Sequence, residues 1–151
     1  MTTHVHGIDE LTALVGTHLG YSDYRTVTQE QVNLFAEATG DHQWIHVDPQ
    51  RAAAGPFGHT IAHGYLTLSL IPVLLGGVMK VDGVAMGVNY GTNKVRFTSP
   101  VPVGAEVRAG ASLASVEPVP GGVQVALEVT VEVKDAPKPS CVAQVLFRYY
   151  V

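Results

Sequence analysis

Residues 65–79, "YLTLSLIPVLLGGVM", decide how the rest of this chain must fold. No charged side chain interrupts them. A helix that begins near Gly64 and runs to residue 76 would be apolar nearly all round, so it must be covered on most sides. It is too short to cross a bilayer, which takes about 20 apolar residues. Pro72 falls inside it, removes one backbone hydrogen bond and should bend it. A sheet curled around this helix is the economical cover.

The sheet is legible downstream. "AMGVNYG", "NKVRFTSPV", "AEVRAGASLASVE", "GVQVALEVTVEV" and "SCVAQVLFRYY" are rich in Val and alternate over long stretches. The breaks "SPVPVG", "PVPGG" and "DAPKP" are short, so consecutive strands are expected to pair antiparallel. Helices first and an antiparallel sheet afterwards make an α+β domain, one unit over residues 1–151.

The first half supplies shorter elements. "IDELTALV" (8–15) reads as a helix with acids in its first turn and Gly16 just after it. Residues 19–27 alternate loosely as a strand. "TQEQVNLFAEATG" is the clearest helix: Thr28 and Gln31 make a capping box, and Val32, Phe35, Ala36 and Thr39 share one face. Gly40 sits where a left-handed C-cap belongs. "DPQRAAAG" is a further short helix, with Asp48 as cap, Pro49 in the first turn and Gly55 as stop.

Composition narrows the function. Charged residues are 15% of the chain, well below the usual quarter. A surface that poor in charge implies a large oligomer interface, a homodimer at least. The net charge of -4 argues against nucleic-acid binding, which needs a basic face. The single cysteine, Cys141, lies in an apolar strand and reads as a buried, inert thiol. With no disulfide within the chain and no signal-peptide pattern in "MTTHVHGIDE", a cytoplasmic, non-membrane protein is expected.

Chemistry is concentrated in "GDHQWIHVD", residues 40–48. Asp41 emerges as the helix stops, and His46 follows five residues later. A carboxylate is ordinarily ionised and an imidazole titrates near neutrality, so such a pair can share one water with complementary proton needs. Two polar loop residues with no task would look the same in isolation. Apolar neighbours (Trp44, Ile45, Val47) suggest that the loop packs on the core. The start of the apolar helix follows within about twenty residues, and helix starts carry free N–H groups that can hold an oxyanion. The N–H near Gly64 is the natural donor, because glycine lets a ligand approach the backbone. His42 with His46, and His59 with His63, stand at metal-binding spacing on a helix. Glycines interrupt both settings and the Glu of H-E-x-x-H is absent, so no metal site is expected.

"FAEATGDHQWIHVDPQRA" followed by "GHTIAHGYLTLSLIP" resembles the MaoC-like, (R)-specific enoyl-CoA hydratase family, which has the hot-dog fold. In that fold a long central helix is wrapped by a curved antiparallel sheet. The family motif is a glycine and an aspartate, typically Asn-Pro, then a hydrophobic residue and a histidine. Gly40, Asp41, Ile45 and His46 match it in order and spacing, while Gln43 and Trp44 stand where many members carry Asn-Pro. "KVRFTSPVPVG" extends the likeness. The resemblance implies that Asp41 and His46 bind one water and move its protons as oxygen adds to C3 of a trans-2-enoyl thioester and hydrogen to C2. The Gly64 N–H would hold the thioester oxygen, and (R)-3-hydroxyacyl-CoA would be the product. CoA or an acyl carrier would be part of the substrate, and no metal or bound cofactor is implied.

Other residues take supporting parts in this scheme. His63 precedes Gly64 and can orient the loop. Pro72 and Leu75 lie two to three turns beyond Gly64, where an acyl chain along the helix would end. Lys94 and Arg96, on a strand, suit CoA phosphates. Plain core packing and a solvated strand face are the alternatives for these four residues. Two other functions compete: a hot-dog thioesterase, with water aimed at C1, and a non-catalytic acyl-binding subunit of a larger dehydratase. Release of free thiol marks the first, and absence of Asp41 or His46 would have marked the second.

Overall fold

The computed structural model describes residues 2–151. In chain order the elements are β1 (Thr3–His6), α1 (Gly7–Ala13), β2 (His18–Tyr21), β3 (Arg25–Thr26) and α2 (Gln29–Thr39). Then come α3 (Trp44–Val47), α4 (Pro49–Ala53), α5 (Gly64–Ser69) and α6 (Ile71–Leu75). Five strands complete the chain: β4 (Met79–Asp82), β5 (Met86–Arg96), β6 (Glu106–Val119), β7 (Gly122–Val133) and β8 (Cys141–Tyr150).

The main sheet is antiparallel, in the order β2-β6-β7-β8-β5, with β3 pairing to β6. Its inner face is written in the alternation of the strands. Val107, Ala109, Ala111 and Leu113 of β6 are buried, as are Val125, Leu127, Val129 and Val131 of β7 and Cys141, Ala143 and Val145 of β8. Each Val or Leu removed from water in this way contributes about 1.5–3 kcal/mol. Burial pushes the Cys141 thiol up to about 11, in keeping with an inert sulfur.

Four details differ from the expectation. "AMGVNYG" and "NKVRF" are one strand, β5, whose pairing with β8 shifts register between Asn89 and Gly91 and between Thr92 and Lys94. Those irregularities broke the apparent period. Consecutive β5 and β6 are not neighbours, because the segment after β5 carries the chain to the other side of the β7-β8 pair. The strand expected over 19–27 is divided into β2 and β3. A small parallel pair, β1-β4, was not legible, because four residues are too few to show a period.

The central helix differs most. Instead of one bent helix over 64–76 there are two short ones, meeting at Leu70. Pro72 cannot donate to the carbonyl of Leu68, so the chain restarts one turn earlier, with the proline in the first turn of α6. The helices are also not covered all round. Leu66, Thr67, Ile71, Leu74 and Leu75 face the sheet, whereas Tyr65 is 71% exposed and Val73 52% exposed. The sheet of one chain wraps only one side. Among the described residues no helix is long and apolar enough to cross a membrane.

Candidate active site

The site begins where α2 ends. Thr28 and Gln31 form the reciprocal capping box that starts this helix, and Gly40, with φ of 80°, stops it in the left-handed conformation. The chain is thereby turned out at Asp41, whose carboxylate is exposed and accepts weakly from the Gln43 N–H at 3.4 Å.

His46 departs from the expected loop. Residues 44–47 form a one-turn helix, α3, and His46 is buried on its inner side. His46 Nδ1 donates to the Ile61 carbonyl at 2.7 Å, leaving Nε2 as the acceptor. Gln29, the first residue of α2, donates through Nε2 to the His46 carbonyl (2.8 Å) and accepts through Oε1 from the Thr60 hydroxyl (2.8 Å). Trp44 packs on the far side of the turn. Its ring lies against Gly55, where a Cβ would come within 2.9 Å, and the Arg51 guanidinium sits 4.4 Å from its centroid. The departure from Asn-Pro thus closes the corner between α3 and α4 with an aromatic plate.

The segment after α4 brings in His63. Ile61 N–H donates to Ile45 O (3.0 Å) and Ala62 N–H to Val101 O (2.8 Å), so this segment lies between α3 and the middle of the β5-β6 connection. His63, 3% exposed, donates from Nε2 to the backbone carbonyl of Asp41 at 2.9 Å. Its ring stacks on His46 with centroids 3.9 Å apart and meets Phe35 at 4.8 Å. Its Nδ1 is buried and has no hydrogen-bond partner. Asp41, His46 and His63 each place one ligand atom within 4.8 Å of the others.

The histidine pairs read from spacing do not form. His42 turns outward to Glu37 (3.4 Å) and His59 Nδ1 meets its neighbour's carbonyl on Thr60 (3.2 Å). The histidines that meet are His46 and His63, seventeen residues apart.

Gly64 opens α5, so its N–H has no acceptor within that helix. The structure gives glycine here a second reason, which the sequence did not show. A Cβ would lie 2.7 Å from Phe97 Cδ2, so the glycine admits the Phe97 ring whether or not it admits a ligand. α5 has six residues, and any oxyanion binding at its start would rest on the N–H itself rather than on a long dipole. A cavity of about 320 Å³ borders Gly64, Thr67, Phe97, Val101 and Ser140. Ser140 is missed by sequence reading. It sits at a strand entrance with no motif around it, yet its Oγ is buried and unpartnered.

Pro72 and Leu75 line a groove along the helices. Two adjoining hollows, of about 290 and 350 Å³, share Pro72, Asn89 and Phe147; Leu75 borders the second. Neither hollow is lined by Asp41 or His46. Lys94 and Arg96 are not brought to the site. They line a hollow with His18, Glu128, Thr130 and Gln144, on the outer face of the sheet, opposite the helices. Alternation decided this: Val95 faces inward, so its neighbours face out.

Comparison with known proteins adds to this geometry. A family model described as "MaoC like domain" matches residues 10–135. The 3-hydroxyacyl-thioester dehydratase Z of Mycobacterium tuberculosis is 57% identical over 143 residues, covering 94% of this chain and 95% of that protein. Nodulation protein N of Rhizobium meliloti is 44% identical over 143 residues, covering 93% and 89%. Among solved structures, an R-hydratase from Pseudomonas aeruginosa superposes with a TM-score of 0.69 at 24% identity, covering 90% of this chain and 81% of that one. The (R)-hydratase from A. caviae gives 0.67 at 22%, covering 87% and 96%. At that identity the structures speak for the fold alone, the hot-dog arrangement.

Proposed function

Because this chain belongs to the MaoC-like dehydratase family, we propose that it is a hydro-lyase acting on thioesters, adding water reversibly to a trans-2-enoyl-CoA or carrier-bound enoyl thioester to give the (R)-3-hydroxyacyl product. The observation that supports it best is the approach of Asp41 and His46. A water hydrogen-bonded at about 2.8 Å to each of two acceptors bridges a gap of up to about 5.6 Å. One water therefore reaches both side chains.

His46 Nε2 and the Asp41 carboxylate both begin as acceptors toward that water. As its oxygen bonds to C3, one O–H bond breaks and the pair takes the proton; the pair returns one proton to C2. Electrons of the C2–C3 double bond pass meanwhile toward the thioester oxygen. There the Gly64 N–H is the donor we assign, working in a partly enclosed site where such a bond counts for more than in water. The reaction needs no metal or bound cofactor. Hydration of crotonyl-CoA, followed by loss of enoyl absorbance in the presence of a chelator, tests the reading. Release of free thiol without loss of the double bond would replace it with the thioesterase.

The groove at Pro72 and Leu75 is the acyl channel in this reading. Leu75→Trp should slow long-chain enoyl thioesters about 5- to 150-fold more than crotonyl-CoA, since a long chain meeting the added ring in the channel costs about 1–3 kcal/mol of overpacking. Equal slowing of both substrates, on samples with unchanged melting, would return Leu75 to the core.

A homodimer belongs to the same proposal. β5 is an 11-residue edge strand, exposed along nearly its whole length, with Met86 and Tyr90 each 56% exposed. Long apolar edges invite pairing. Tyr65 and Val73 extend the apolar surface onto the helices. Sedimentation at micromolar concentration should give twice the chain mass; the mass of one chain would count against the dimer.

A further inference from the structure

His63 touches each part of the site, although those parts come from separate segments of chain. Its Nε2 lies 2.9 Å from the backbone carbonyl of Asp41, where α2 has ended. Its ring stacks on that of His46 in α3, with centroids 3.9 Å and planes 23° apart, and meets Phe35 of α2 at 4.8 Å. Its own carbonyl accepts from the N–H groups of Leu66 (3.0 Å) and Thr67 (3.1 Å), so α5 starts from it. The next N–H along the chain is that of Gly64.

Packing does not account for an imidazole at this place. A carbonyl only accepts, so Nε2 carries the ring proton and Nδ1 a lone pair. That lone pair is buried, and no protein group bonds to it. A buried acceptor left without a donor costs stability, and an apolar side chain here would have none to leave. What the imidazole supplies in return is an N–H, steadied by the stacked rings and aimed at Asp41. Asp41 needs such a tether. It is exposed, it follows a left-handed glycine, and its other bonds are long. Its N–H reaches Thr39 Oγ1 at 3.4 Å, and its carboxylate accepts from Gln43 N–H at 3.4 Å. The bond from His63 is the short one.

We propose that His63 is a positioning residue, whose Nε2–H fixes Asp41 relative to His46 and the Gly64 N–H so that all three meet one thioester. The role rests on the hydratase reading above.

The experiment compares His63→Gln with His63→Met in crotonyl-CoA hydration, with thermal melts on the same samples. The two replacements are nearly equal in length, and both give up the stack. Only glutamine keeps an N–H about where Nε2–H stood, and only glutamine brings an amide into the buried site. Stability and rate should therefore rank in opposite order. His63→Met should melt higher, while His63→Gln should have the greater kcat, by about 10- to 100-fold, the scale of a small misplacement. KM should be nearly the same in both, because loss of placement lowers kcat and kcat/KM together. In an Asp41→Asn background, with no carboxylate left to place, the two should turn over alike. Rates that rank with melting overturn the proposal, as does an undiminished difference in the Asp41→Asn background. Nitrogen NMR of the wild-type imidazoles decides without any variant and without turnover. His63 should be the Nε2–H tautomer, and Nδ1–H would overturn the bond on which the role depends. A wild type that does not hydrate crotonyl-CoA loses the reaction and this role together. A wild type that does, with variants ranked by melting, loses the role alone.

Discussion

Asp41→Asn and His46→Gln should each lower kcat for crotonyl-CoA hydration by about 10²- to 10⁴-fold, the usual contribution of a positioned acid or base. Asparagine keeps the shape of Asp41 and removes its charge. Glutamine keeps a polar reach at position 46 without the imidazole. The double variant should be scarcely slower than either single one, because groups that act as a unit are strongly non-additive. Their stabilities should part company. The exposed Asp41 carboxylate bears little of the fold, and its replacement should leave the melting temperature nearly unchanged. His46 is buried, bonded to Ile61 O and stacked on His63, so its loss should cost about 1–3 kcal/mol, the penalty for a buried group left unpaired. From the sequence alone, both residues read as loop positions; burial makes His46 part of the fold. His42→Gln, which loses only an exposed contact to Glu37, is the control and should retain most activity. Near-normal rates in both single variants, on folded samples, would remove the pair from the mechanism.

Gly64→Ala should destabilise the protein by about 1–3 kcal/mol and lower kcat as well. The added methyl would lie 2.7 Å from Phe97 Cδ2 and 2.9 Å from Phe97 Cγ, so the ring cannot escape by moving its tip alone. Alanine preserves the N–H, which makes this variant informative about why glycine is needed. Phe97→Leu in the Gly64→Ala background should recover most of the stability, with a coupling of about 0.5–3 kcal/mol between the two positions. Recovery of rate along with stability would mean that Gly64 serves packing. Recovery of stability without rate would mean that the bare backbone is needed by the substrate. A Gly64→Ala protein that melts and turns over as wild type does would sink both accounts, and with them the placing of this N–H in the reaction.

Much of the architecture was legible because it rests on local chemistry. The α2 boundaries follow from a capping box at Thr28 and a left-handed glycine at position 40, both satisfied within a few residues of chain. β6, β7 and β8 follow from alternation, because a sheet with one face on the core writes its geometry into every second residue. β5 was seen in two pieces, since its irregular register shifts the period that betrays a strand. The break at Leu70 was expected as a bend: Pro72 announces a missing hydrogen bond, but whether a helix kinks or restarts depends on what packs around it.

For the site, sequence by itself determined the residues of the motif and their order: glycine to end a helix, Asp41 at its exit, His46 five residues on, and Gly64 at the start of the apolar stretch. Only the tertiary structure decided which of them meet. His63 joined Asp41 and His46 from across the chain, while Lys94 and Arg96 went to the far face of the sheet. Ser140 came to the cavity beside Gly64 from a segment with no motif, and Phe97 from the stretch "KVRFTSPVPVG", where nothing marked it for the site. The physical reason is range. Caps and strand alternation are settled between residues a few positions apart. Stacked rings, a carbonyl that dictates a tautomer and a buried lone pair depend on which elements the core brings side by side, and those contacts leave no period in the chain.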